Sequence, residues 1–166
     1  MNKTTKLTVI IISILLVSVC TIAATYSVVI EVTKNEGLTE IINDIHVKDL
    51  LTDNNGNYNS TYYDLKNELS LTDTEANILM SSKEIDESLQ IVLKSIVDYK
   101  VNDKLDAKLT NEELYNLISN TILKVDNISD ETKSRIINKA SIYRNDVSTY
   151  IYDMEVSVLK DLIWFT

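Results

Sequence analysis

The stretch SSKEIDESLQIVLKSIVDYK, Ser81 to Lys100, sets the pattern for the folded part of the chain. Ile85, Leu89, Val92 and Ile96 recur at steps of four, three and four. That spacing places their side chains on one face of a helix with about 3.6 residues per turn. Ser81 is followed three residues later by Glu84. This is the form of a capping box, in which the hydroxyl takes a free backbone amide and the carboxylate reaches back to the cap. The spacing predicts a helix entered at Ser81 and lasting to about Lys100.

The same pattern extends in both directions. Thr110 with Glu113 opens a stripe of Leu114, Leu117, Ile118, Thr121 and Val125, and Thr72 with Glu75 marks another helix start. Tyr58, Tyr62, Leu65 and Leu69 form an earlier stripe, after a break at Asp53-Asn54-Asn55-Gly56-Asn57. Leu38, Ile41, Ile42 and Ile45 fall on one face of a short helix ending near Leu51. A last helix is expected from Ser129 or Asp130. Its stripe of Ile136, Ala140, Tyr143, Val147, Ile151, Met154, Val158 and Leu162 implies the longest helix of the chain. Such a stripe also suits one strand of a coiled coil, hence a homo-oligomer through the C-terminal helix. With no Pro and little β-branched alternation, the fold class is all-α.

A different kind of segment precedes the bundle. LTVIIISILLVSVCTIAATYSVVI, Leu7 to Ile30, holds no charged residue. As a helix it would span about 36 Å against a hydrocarbon core of about 30 Å. Lys3 and Lys6 flank it on the N-terminal side and Glu31 on the other. The positive-inside rule then puts residues 1–6 in the cytoplasm, 7–30 in the bilayer as a signal-anchor, and the domain of 31–166 outside. The alternatives are a cleaved signal, with Thr21 and Ala23 or Ile22 and Ala24 before the cut, and a lipoprotein signal at Cys20. Tyr26 to Ile30 carry the run past the first, and Val19 suits the second poorly.

The outer part holds all 25 acidic residues and 14 of the 16 basic ones, a formal charge of −11. Nucleic acid is excluded as a partner, because phosphate neutralisation needs clustered Lys and Arg. Cys20 is the one cysteine and lies inside the apolar run, so the domain can form neither an internal disulfide nor a thiolate site. Abundant Asn, Ile, Lys and Tyr point to AT-rich coding and a low-GC, Gram-positive-like bacterium.

Catalytic machinery is thin. His46 is the one histidine, and Gly37 and Gly56 are the only glycines, too few for a phosphate-binding loop. Asp73 and Glu75, or Glu84 and Asp86, read as acidic first turns that complement helix dipoles. Asp53, Asn55, Asn57, Thr61 and Asp64 stand at positions 1, 3, 5, 9 and 12 of a loop, a spacing that resembles the calcium loops of EF-hands and dockerins. Tyr58 stands where that loop wants Gly and Ser60 where it wants an apolar residue, which favours an Asn-rich connection. No residue is assigned to catalysis, to a cofactor or to a metal.

The expectation is a membrane-anchored extracytoplasmic binding protein whose partners are the bilayer, through residues 7–30, and a protein or component of the cell envelope. An alternative is the ligand-sensing ectodomain of a two-pass receptor, with Trp164 and Phe165 at the entry to a second membrane helix. An envelope enzyme is a third.

Overall fold

The computed structural model describes residues 42–153, apart from 54 and 101. The Leu7–Ile30 run, Leu38, Ile41 and the tail carrying Trp164 and Phe165 lie outside the described residues. Among those described, the elements are α1 (Val47–Leu50), α2 (Ser60–Glu68), α3 (Asp73–Met80), α4 (Lys83–Lys100), a 3-10 turn (Leu105–Ala107), α5 (Asn111–Lys124), α6 (Asp130–Ser141) and α7 (Val147–Asp153). The described part is all-α, with one isolated antiparallel bridge between Thr52 and Tyr58. None of its helices is long and apolar enough to cross a membrane.

Two capping boxes stand where the sequence puts them. Thr72 Oγ1 accepts from the Glu75 amide at 3.2 Å while Glu75 Oε2 accepts from the Thr72 amide at 3.0 Å. Thr110 and Glu113 repeat this at 3.2 and 2.7 Å. The third start is displaced by one residue. The Ser81 amide still donates to the carbonyls of Asn77 and Ile78, so Ser81 ends α3. The cap of α4 is instead Ser82, whose Oγ accepts from the Ile85 amide and donates to Glu84. At the end of α2 the amides of Ser70 and Leu71 donate to Asn67 and Lys66 carbonyls, and Ser70 takes φ 51°. This is the left-handed C-terminal cap usually given to glycine.

Two expected helices are broken. The continuous helix from Leu38 to Leu51 fails, because the chain turns at Asp44–His46 before α1. Tertiary bonds take over there: Asp86 Oδ1 accepts from the Val47 amide at 2.7 Å, and Gln90 Nε2 donates to the carbonyls of Asn43 and Ile45. The long C-terminal helix is likewise two pieces, α6 and α7. Between them the amides of Ile142, Tyr143, Arg144 and Asp146 each donate to the carbonyl three residues back. Arg144 fixes this turn with a bidentate pair to Glu112 on α5 and lies over the Tyr115 ring. Tyr143, Val147 and Ile151 nevertheless stay buried within the chain itself.

α5 is the hub, packed against α4, α6 and α7. All the buried apolar residues among those described, except Tyr143, fall into two clusters. One joins residues from Ile42 to Ile136; the other joins Val92, Ile96 and Leu114 to Val147, Ile151 and Tyr152. α7 is seated on the second by a polar relay. The Leu109 amide donates to the Tyr152 hydroxyl, and Ser95 donates to the Ala107 carbonyl, which leaves Tyr152 to donate to Ser95. At the opposite end, Arg135 and Lys139 of α6 donate to the carbonyls of Glu68, Leu69 and Ser70. Cations there satisfy the open C-terminus of α2 and complement its dipole.

Candidate functional site: an apolar cavity beside an N-terminal strap

A cavity of about 180 Å³ lies at the seam of the two clusters. Val47, Leu69, Met80 and Ile136 line it from the first cluster and Val92 and Leu114 from the second. The wall's hydroxyls belong to Ser88 and Thr121, and these bond each other. Among the described residues, no charged side chain lines the space. Engineered cavities of about 150 Å³ with such walls stay dry and take up benzene. At about 24 cal/mol per Å³, a fully enclosed void of this size would forgo about 4 kcal/mol against a filled interior, and the partly open wall here makes that an upper bound. A cost of that size matters in a domain whose whole stability is roughly 5–15 kcal/mol.

The wall is not uniformly closed. Ile85, Ser88, Leu117, Ile118 and Ala140 keep some solvent contact, whereas the other liners are buried. Access is thus on the side where α4, α5 and α6 meet. Ser88 and Thr121 occupy stripe positions that otherwise hold apolar residues, and this is the sequence signal for the seam. Thr121 was visible in its stripe; its pairing with Ser88, 33 residues away, depends on how α4 and α5 cross.

Beside the cavity, residues 42–51 form a strap, with Val47 contributing to the wall. Asp86 holds it twice, through the Val47 amide and through His46 Nδ1 at 2.8 Å. His46 is therefore an exposed latch residue. Its hydrogen bond to Asp86 raises the imidazole pKa above 6.5 against the opposing effect of desolvation, and the charges of Asp86, Asp49 and Asp44 add to the rise. A raised folded-state pKa contributes stability fully below the unfolded value and loses it as pH rises through the folded value. Melting temperature should therefore fall slightly as pH rises past 6.5 and through the higher folded-state value, a small effect because the ring is half exposed and screened. Thermal melts of His46→Ala should lack this slope; an unchanged slope would remove His46 as its source.

The remaining singled-out residues have local employment. Asp73 pairs with Lys66, and Glu84 bonds Ser82. Glu75 serves the cap of α3 and also accepts from Thr132, at the start of α6. The bonds from Thr132 and Thr72 hold the Glu75 carboxyl below its ordinary range. Asp53 Oδ1 accepts the amides of Asn55 and Asn57 at 2.8 and 2.9 Å, and Gly56 takes φ 78° to close the turn. Tyr58, at the sixth loop position, stacks on Tyr62 with centroids 3.8 Å apart. The loop is thus tied to its own backbone and to α2. Among the described residues no group of three His, Cys, Asp or Glu side chains is arranged to hold a metal. No protein-family model matches the chain, and comparison with curated proteins and with solved structures gave no match.

Proposed function

We propose that the chain is a membrane-anchored binding protein of a low-GC, Gram-positive-like bacterium, with its acidic helical domain held outside the membrane by residues 7–30. The observation that carries a binding role is the apolar cavity, a stability cost retained in the middle of a small core. The positional part of the reading is supported by the uncharged run and by Lys3 and Lys6 on one side of it. A surface of formal charge −11 keeps the domain soluble and away from anionic headgroups.

The decisive test is protease treatment of intact cells followed by membrane fractionation. The expected result is a membrane-associated chain whose domain is digested from outside, leaving a short protected fragment that contains residues 7–30. A domain that survives external protease, yet is digested once the cells are opened, would overturn the topology.

A further inference from the structure

We propose that the cavity receives the hydrocarbon end of a linear acyl chain drawn from the membrane; this rests on the binding role proposed above. The chemistry of the wall sets the class of ligand. Aliphatic side chains surround the space, and its two hydroxyls are engaged with each other. A charged or strongly polar group would lose its hydration there without finding a counter-charge. Only hydrocarbon can enter at low cost, and any polar head must stay at the partly open side near Ala140 and Leu117.

The layout of the wall favours a chain over a ring. On α5 the liners run from Leu114 through Leu117, Ile118 and Thr121 to Ile122. At the helical rise this is about 12 Å. On α4 they run from Ile85 through Ser88 and Leu89 to Val92, or about 10 Å. Apolar rows of this length offer the extended end of a hydrocarbon chain a slot to lie in. A cavity of about 180 Å³ is too small for a whole lipid and fits the end segment of one chain.

The source follows from tethering. The 11 residues from 31 to 41 separate the uncharged run from Ile42. Even fully extended they reach only about 40 Å. The cavity is thus confined near the bilayer, the local reservoir of acyl chains.

The test uses the full chain in phospholipid vesicles carrying a photoreactive diazirine at the ω-end of an acyl chain. One arm supplies the chain on a phospholipid and a second supplies it as free fatty acid, which separates the two sources. After irradiation, label is expected on peptides covering residues 85–92 and 114–122, in addition to residues 7–30. Excess decanoic acid should displace the label from the domain, whereas benzene at equal concentration should not. Ala140→Leu and Leu117→Phe, two ways of filling the slot, should each lose the domain label while keeping helical circular dichroism and an undiminished melting temperature.

Label confined to residues 7–30, domain label that persists in both folded variants, or displacement by benzene as readily as by decanoate would each overturn the assignment. So would label that enters the domain only after residues 154–166 are deleted, since the slot would then belong to the chain's own tail. Protease accessibility on intact cells reports topology independently. Domain labelling with the wrong topology would sink the surface-display reading and leave the acyl site standing.

Discussion

Leu114→Ala should be among the most damaging single substitutions in the domain, lowering stability by about 3–5 kcal/mol. Leu114 is 1% exposed, sits on α5 and belongs to the second core cluster while facing the cavity. Truncation removes its packing within the cluster that also holds Val92 and Ile96, and merges the lost volume with a space that already exists. Neighbours cannot collapse into a gap that lies between two clusters, so the cavity penalty is paid nearly in full. The expected drop in melting temperature is roughly 10 °C for a chain of this size. Leu105→Ala is the control. Leu105 is 79% exposed, and its loss should stay within about 0.5 kcal/mol. Urea unfolding of both variants checks the contrast, and similar midpoints would contradict the packing described.

Asp86→Ala should cost about 2–3 kcal/mol, because a hydrogen bond to an ionised group is lost and the buried Val47 amide is left without its acceptor. Asp86→Asn separates the two contacts. Its side-chain oxygen can still accept from the Val47 amide, and its NH₂ can donate to neutral His46. Protonated His46 would instead meet a donor. The strap should therefore hold near wild-type strength above about pH 8 and weaken below about pH 6, the reverse of the wild-type slope. Amide exchange at Val47, followed with pH, measures this directly. A slope of unchanged sign would show that the His46 contact does not govern the strap.

The sequence revealed what is local. Thr72–Glu75 and Thr110–Glu113 are boxes because cap and partner are three residues apart and need no other part of the molecule. Ser81 and Ser82 differ only in how the chain leaves α3, and adjacent serines give no local sign of which one caps. The break at residues 142–146 is hidden for a different reason. Bonds to the third residue back keep Tyr143 and Val147 near the spacing of a helical stripe while redirecting the chain, with no Gly or Pro to mark it. The polar run Arg144-Asn145-Asp146 was the available hint, but the clamp on Glu112 comes from another helix. The cavity is less legible still, since a void belongs to no residue. Only Ser88 and Thr121, polar at apolar positions, register it in the sequence.

The bond between Thr132 and Glu75 also orders events in time. The ribosome delivers the chain N-terminus first, so α3 emerges with its box formed but with Glu75 Oε1 still facing water. Its partner arrives 57 residues later, in the same helix that brings Arg135 and Lys139 to the end of α2. Until α6 has emerged, the first cluster lacks Ile136 and α5 lacks one of the helices packed against it. The segment before α6 therefore waits, half-assembled, for α6 and α7 to complete the core.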